Sequence, residues 1–475
     1  MVLVLNTPIS YPLSEANMSA PLPNSSLDES LRLPIDARIS PFQWRVIILC
    51  FLIALFDGFD TQAVAFTGPA IIEAFGLEAK ALAPVLTAGI IGMTVGAMLL
   101  GMLGDKLGRH KTLMVCMALF AISTLLTAFA THLNHIFILR VIAGLGMGGA
   151  TPVLLSLASE YAPKRHKGLV TTGILLALPA GAMLGGILAA KILPVWGWQS
   201  IYILGGVLPL ILLALVYFAL PESLEYLSQR HTARNQQQIE HILSKITGKP
   251  VQISAQQFAQ TEETQAVESA KLSVLFQHGL ARTTIGVWGT YFFNWIAWFM
   301  LLSWLPTILK QAGLDPVDAP YASVTVNAAF IVFAIPLAYY LPKLNISKIL
   351  YFMFACGIAI AVGLGMVISN QQWGVVFALI ALAGFGIGGQ QLVLNYLVVA
   401  SYPAQVRATA TGWAIGMGRF GAIIGSAIGG LVLAQFGVNG YFFALAIPLV
   451  LAWACVLLIR KSQAASTHTA IPSSH

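Results

Sequence analysis

Four charged residues stand inside long apolar stretches of the chain: Asp57, Asp60, Arg140 and Arg419. An ionisable side chain within a membrane span is expensive to place there and marks function by default. Of the 18 acidic residues, only Asp57 and Asp60 remain deep in such a stretch once loop and end positions are removed. Their i,i+3 spacing puts both carboxylates on one helix face. Counted from Trp44 at about 1.5 Å per residue, they lie roughly 20–24 Å along the span, at or just beyond mid-membrane. Two close carboxylates in a low dielectric do not readily both ionise, so at least one is expected to carry a proton near neutral pH. A proton carrier needs that property. Arg140 opens a second reading, a fixed ion pair with these acids. Because a coupled pair titrates as a unit, the spacing does not say which Asp takes the proton.

Arg419 lies about 12 residues into its own stretch, roughly 18 Å deep. A guanidinium there must face protein or water. It can clamp a carboxylate with two parallel hydrogen bonds, or it can pair structurally with carbonyls or an Asp. The run Tyr291-Phe-Phe-Asn294-Trp295-Ile-Ala-Trp298 adds a polar Asn to two Trp at i,i+3. An aromatic ring could stack on Trp295 or Trp298; for either Trp alone, facing lipid is an equal reading. Gln390, Gln391 and Asn395 place carboxamides in another stretch, Gln391 and Asn395 on one face at i,i+4. Inside a membrane such groups need partners, from another helix or from a ligand's hydroxyl or carboxyl. Asn327 is a weaker case of the same kind.

The elements that hold these residues follow from composition. The chain has 475 residues, with 25 Lys and Arg, 18 Asp and Glu, and a net charge of +7. Charged residues make up 9% and hydrophobic ones 57%, and mean hydropathy is +0.81. That is too little polar surface to coat a soluble globule, which excludes an ordinary cytosolic enzyme, a disordered protein and a secreted disulfide scaffold. The excess of basic charge reads as loops facing an anionic membrane surface, and no nucleic-acid partner is expected. Cys50, Cys116, Cys356 and Cys455 all sit in apolar runs without metal-ligand spacing, so neither disulfide nor zinc is implied. The nine histidines form no constellation, and no P-loop or nucleophile elbow appears. No catalytic residues, metal or cofactor are expected, only protons as coupling ion. The N-terminus lacks the pattern of a cleavable signal, and Met18 offers a plausible shorter start.

A helix needs about 20 apolar residues to cross the hydrocarbon core. Twelve segments qualify, at about 43–68, 82–104, 112–131, 135–159, 168–193, 200–220, 282–310, 320–342, 347–369, 373–401, 407–434 and 438–460. We number them spans 1 to 12. The polar stretch 221–281 divides them six and six. The domain reading is a cytoplasmic tail over 1–42, expected to be disordered, a six-helix bundle over 43–220, a cytoplasmic linker loop over 221–281, a second bundle over 282–461 and a tail over 462–475. With both termini in the cytoplasm, 20 of the 25 basic residues fall inside and three outside, as the positive-inside rule requires. Ala143-Gly-Leu-Gly-Met-Gly-Gly149 in span 4 recurs as Ala383-Gly-Phe-Gly-Ile-Gly-Gly389 in span 10, offset by 240. Each is followed by a Pro-containing turn, and each next span carries a Gly pair. The fold class is therefore all-α membrane protein, with twelve transmembrane helices in two pseudo-symmetric halves and a substrate site near the midplane.

The loop between spans 2 and 3 reads Gly101-Met-Leu-Gly104-Asp105-Lys106-Leu-Gly108-Arg109-His-Lys111. It resembles the signature loop of the major facilitator superfamily, and Arg140-x-x-x-Gly144-x-Gly146 resembles that superfamily's second motif. The matching loop of the second half has Pro342 where the acid should be, so a second latch there is degraded. Asp57-Gly-Phe-Asp60-Thr61 in span 1 and Gly386-Ile-Gly-Gly-Gln390-Gln-Leu-Val-Leu-Asn395, Tyr402-Pro403, Arg407-Ala-Thr, Gly412-Trp413 and Gly418-Arg419-Phe-Gly421 later in the chain look like the aromatic acid:proton symporter branch. Ser426 departs from it, standing where that family commonly has Pro. The resemblance implies that span 7 lines a central cavity and that the acidic pair is needed for transport. It also implies that Gly101, Asp105, Gly108 and Arg109 form a latch closing the inner mouth. Asp105 ends a helix against its dipole and so needs a partner, Arg109 or another helix's N-terminus.

The expectation is a proton-coupled secondary transporter, not an enzyme, in the bacterial cytoplasmic membrane. It imports a small aromatic carboxylate such as a hydroxybenzoate, protocatechuate, benzoate or vanillate, with Asp57, Asp60 and Arg140 coupling the proton. Arg419, Asn294, Trp295, Trp298, Gln390, Gln391 and Asn395 bind substrate, and the protein works as a monomer by alternating access. The alternatives on the same fold are a transporter of another organic acid and a drug or metabolite exporter. A cation exporter would not need Arg419, and a non-transporting receptor has no evident need for the repeat, the latch loop and the buried acids together.

Overall fold

The computed structural model describes residues 38–230, 232–253, 272–277 and 280–459. The side chains of Asp105, Pro342, Ala404, Gln405 and Ala408 lie outside that set, as do the outer parts of both expected tails and much of the 221–281 segment.

Eleven helices among the described residues are long and apolar enough to cross a membrane. The last, Ala404–Val456, runs 53 residues but contains Gly437 at φ 65° and ψ −171°. At about 1.5 Å per residue, an unbroken helix of that length would far exceed a hydrocarbon core of about 30 Å. Gly437 adopts a conformation that side chains with a Cβ rarely reach, and it divides the run into spans 11 and 12. The architecture is twelve spans in two halves of six.

Span 1 begins at Pro41, where Ser40 and Gln43 form a capping box and Pro occupies the first helical turn, a start that satisfies the free N–H groups. It continues to Phe75, seven residues beyond the expected end, because Pro69 is accommodated within the helix. Spans 2 to 6 are Ala83–Leu107, Arg109–Thr127, Leu133–Tyr161, Lys167–Trp196 and Gln199–Ala219. Spans 7 to 9 are Ala281–Gln311, Ala319–Tyr340 and Ile346–Val367, and span 10 runs from Trp373 to Ser401. Packing repeats across the halves: spans 2 and 4 pair as do 8 and 10, and spans 3 and 6 as do 9 and 12. In span 4, Gly144 and Gly148 let the backbone meet span 2, where a Cβ would fall 2.2 Å from the Gly89 carbonyl and 2.0 Å from the Met93 carbonyl. Small residues do this work in a membrane because lipid supplies no hydrophobic drive for association.

Among its described residues, the segment expected as a linker loop holds two α-helices, Leu224–Ser228 and Ala233–Thr247. The second buries Ile239, Ile242 and Leu243 in the core of the first half. Its apolar residues recur at helical spacing on an otherwise polar chain, a pattern that whole-window hydropathy averages away.

The face bearing the 101–111 loop is called here the latch face, and its opposite the far face. The halves meet through spans 5 and 8, 2 and 11, and 1 and 7. Towards the far face one apolar cluster joins both halves, from Phe59, Phe66 and Leu86 to Leu301 and Trp304. Towards the latch face the first half keeps a separate cluster around Val46, Leu113, Leu157 and Val170. In span 5 a Cβ at Gly186, near the far face, would lie 2.7 Å from Val324 of span 8, whereas Gly168 and Gly173 near the latch face meet nothing. Span 11 shows the same contrast between Gly430 and the open positions Gly412 and Gly416. Lys310 at the far end of span 7 donates to the Glu73 carboxylate of span 1 at 2.9 Å. The halves are thus closed together on the far face and parted on the latch face.

Candidate functional site

Asp57 and Asp60 are both buried, but their surroundings differ. Arg140 Nη1 donates to both oxygens of Asp60, at 3.0 and 2.9 Å. Thr124 Oγ1 donates to Asp60 at 2.7 Å and accepts from Arg140 Nη2 at 2.8 Å. Arg140 also reaches Thr127 and lies over the Tyr202 ring, 5.3 Å from its centroid. The Tyr202 hydroxyl in turn pairs with Thr67 at 2.8 Å. A buried ion pair persists only when its remaining hydrogen bonds are met, and Thr124 and Thr127 of span 3 meet most of them here. The fixed pair with Arg140 is therefore realised for Asp60.

Asp57 has hydroxyl partners instead. Thr151 donates to it at 2.9 Å and Thr61 at 3.4 Å. Among the described residues no lysine or arginine forms an ion pair with it. Of the charges that act on it, the neighbouring Asp60 carboxylate comes first, and Arg419, across the seam between the halves, is the cation. Arg419 Nη1 donates to the Met93 carbonyl of span 2 at 2.6 Å, which is the carbonyl pairing open to it from sequence. The guanidinium of one half thus rests on the backbone of the other.

Spans 7 and 10 bring their polar residues together in three pairs. The Tyr291 hydroxyl donates to Asn395 at 2.8 Å, Asn294 donates to Gln390, and Trp295 Nε1 donates to Gln391. Gln390 also donates to the Gly386 carbonyl. Gly384–Gly388 forms a π-helical turn immediately before these carboxamides, whereas the equivalent glycines of span 4 lie in regular α-helix. Such turns often mark functional sites. The two tryptophans separate. Trp298 packs on Phe330 and against Gly388, and Trp295 stacks on Phe299, with ring centroids 5.7 Å apart, and seats on Gly418 of span 11. Asn327 is buried and donates to the Ser323 carbonyl of its own helix.

A small central cavity lies between the halves, lined by Asp60, Thr61, Gln62, Met93, Arg140 and Phe299 among others. Gln62, Thr124, Thr151 and Phe299 were not singled out from sequence, and Thr61 stood there only as the last residue of the Asp57 motif. Thr61 stands one residue after Asp60 and four after Asp57, Gln62 follows it, and Phe299 lies one helical turn after Trp295, whereas Thr124 and Thr151 come from spans 3 and 4 and carry no such signal.

At the latch face, Gly108 has φ 98°, which a Cβ would strain, and a side chain there would strike Glu222. Arg109 pairs with Glu160 at the end of span 4 and with Glu225 at 2.8 Å. The His110 N–H donates to Glu222 at 2.9 Å, and Ser223 donates to Glu160 at 2.7 Å. The loop is thus tied to the segment following span 6, whose acids Glu222 and Glu225 sequence reading passed over. Gly101 packs loosely on Pro152. The Asp105 side chain lies outside the described residues. No group of three or more His, Cys, Asp or Glu stands ready for a metal among the described residues.

A two-half bundle of twelve spans around a charged, buried centre is the construction of a membrane transporter. The chain belongs to the Major Facilitator Superfamily, which it matches over residues 50–415 and 352–474, in the branch whose members are named for aromatic acids. It is 35% identical over 442 residues to the 4-hydroxybenzoate transporter PcaK of Pseudomonas aeruginosa, covering 91% of this chain and 97% of that one. It is 35% identical over 416 residues to the gallate transporter of Pseudomonas putida, covering 87% and 91%. In fold it is similar to the inward open xylose transporter XylE of E. coli, with a TM-score of 0.68 at 20% identity, covering 89% of this chain and 98% of that one. It is a multi-pass transporter and not an enzyme.

Proposed function

We propose that this protein imports a small aromatic carboxylate together with protons by alternating access. It sits in the bacterial cytoplasmic membrane with the latch face and both termini in the cytoplasm. The observation that carries the reading is the division of the acidic pair. Asp60 is paired with Arg140 through both of its oxygens and serves as a fixed counter-ion that positions span 1. Asp57 has only hydroxyls beside it, and a hydroxyl can donate to a carboxylate or accept from a carboxyl. Asp57 is therefore the group that takes and releases the proton, and Arg419 is the cation it shares with the substrate.

The aromatic acid follows from three features: the 4-hydroxybenzoate and gallate relatives, the forked cation Arg419 at the seam, and the Trp295–Phe299 stack at the cavity wall. An incoming carboxylate competes with the Met93 carbonyl for the guanidinium, since a charge-assisted bidentate pair outcompetes a neutral acceptor. Losing that inter-half bond gives the ligand a differential effect on the two arrangements, which any ligand-driven change requires. One proton carried with one monoanion moves no net charge, so the pH gradient alone drives accumulation; a second proton would add the membrane potential. Purified protein in proteoliposomes tests this. An inward proton gradient should accelerate uptake of labelled 4-hydroxybenzoate, protocatechuate, benzoate or vanillate. Indifference to the gradient across that panel would remove proton coupling, and no uptake of any member would remove the substrate class.

A further inference from the structure

Gln62 lies one residue past the Asp57–Thr61 motif, is 6% exposed, and lines the central cavity. Among the described residues no donor reaches its Oε1. This differs from the other carboxamides of the interior, since those of Asn294, Gln390, Gln391 and Asn327 are each engaged by a neighbouring group. Buried polar atoms are nearly always partnered, and an exception asks for an explanation. We propose that Gln62 reads a ring hydroxyl of the substrate, accepting its hydrogen bond; this rests on the reading of the protein as an aromatic-acid transporter.

The placement supports this. Met93, whose carbonyl holds Arg419, lines the same cavity, so the cavity meets the carboxylate clamp on one side. Phe299, stacked on Trp295, gives an aromatic wall. Gln62 borders this cavity together with Met93 and Phe299, so its carboxamide, the residue that holds the clamp and the aromatic wall face one space. A carbonyl oxygen accepts and cannot donate. It therefore favours a hydroxyl over hydrogen at that position and disfavours an ether, which has no proton to give and leaves the carbonyl desolvated. The acid itself binds at Arg419, so Gln62 sets which ring is preferred and leaves carboxylate recognition intact.

The test is competition against labelled uptake in proteoliposomes holding the full chain, with benzoate, 4-hydroxybenzoate and 4-methoxybenzoate as competitors. In wild type, 4-hydroxybenzoate should inhibit about five- to tenfold more tightly than benzoate, the range of one net hydrogen bond, with 4-methoxybenzoate weakest. Gln62→Met conserves volume and removes the acceptor; its hydroxybenzoate-to-benzoate ratio should fall to about one while benzoate inhibition stays within about twofold of wild type. An unchanged ratio in Gln62→Met overturns the assignment. So does a wild type that binds benzoate as tightly as 4-hydroxybenzoate, a result that needs no variant to fold. A wild type inhibited by none of the three overturns the functional reading, and this inference with it.

Discussion

The two halves share a scaffold but not a chemistry. Spans 1 and 7 begin at Pro41 and Ala281, the same 240-residue offset as the repeated glycine run. At that offset Asp57, Asp60 and Arg140 correspond to Ala297, Met300 and Ile380, all buried. The first half thus gathers its intramembrane charges into one cluster fixed by hydroxyls. The second half places neutral carboxamides against Tyr291, Asn294 and Trp295 and relaxes span 10 into a π turn. Arg419, whose counterpart at that offset is Pro179, crosses the seam to the Met93 carbonyl of the first half. The intramembrane acids thus belong to the first half and the aromatic wall of Trp295 and Phe299 to the second, with Gln62 facing that wall from the first half and one guanidinium able to report between them.

That division can be broken most sharply at Asp57. Asp57→Asn should lower gradient-driven accumulation by about 100-fold or more, because the carried proton is lost, while exchange of labelled for unlabelled substrate at equal pH continues. Accumulation at the wild-type level would return Asp57 to a structural role. Next comes Asp60→Asn, which strands the Arg140 charge. Breaking one side of a buried pair costs about 3–5 kcal/mol, so the protein should melt well below wild type in detergent, and Asp60→Asn with Arg140→Gln should recover part of the loss. If Asp60→Asn melts like wild type, the pair is not the fixed element described here. Arg419→Lys keeps the charge and loses the fork; apparent affinity for the carboxylate should fall about tenfold, with the proton requirement retained. An unchanged affinity would remove the clamp.

Smaller effects sharpen the comparison within the second half. A Cβ at Gly418 would stand 2.9 Å from the Trp295 ring, so Gly418→Ala should cost about 1–3 kcal/mol by overpacking, read as a lower melting temperature. Trp295→Phe in the same background should relieve it, and an additive double variant would show that the two do not press on each other. Smallest is Glu225→Gln at the latch. Glu225 is half exposed while Arg109 keeps Glu160, and an exposed pair is worth about 0–1 kcal/mol; melting should shift little, and a large shift would make the loop a major brace of the first half.

Much of this was legible in the chain because charge is scarce in it. Asp57, Asp60, Arg140 and Arg419 stand out in apolar runs for a simple reason: placing an ion there is costly unless something uses it. The span count and the six-and-six division follow from hydropathy and the 221–281 stretch, and the repeat from the two glycine runs. What could not be read was pairing. Nothing in Asp57-Gly-Phe-Asp60 says that one carboxylate meets a guanidinium and the other only hydroxyls, since the donors come from spans 3 and 4, distant in sequence. The same glycine run is α-helical in span 4 and π-helical in span 10, which sequence identity hides. Gln62 is neutral beside two acids and drew no notice, and the amphipathic helix Ala233–Thr247 vanished into an averaged polar segment. The extension of span 1 to Phe75 shows the remaining limit: helices continue past the apolar stretch that reveals them.

In the proposed cycle, the coupling moves substrate and proton together through the first-half acid and the seam arginine. It is tested most directly by recording the internal pH of proteoliposomes as 4-hydroxybenzoate is added outside with no gradient imposed. Coupled entry gives internal acidification that tracks labelled uptake in wild type, and uptake without acidification during exchange in Asp57→Asn. Wild-type uptake with no change in internal pH would contradict it.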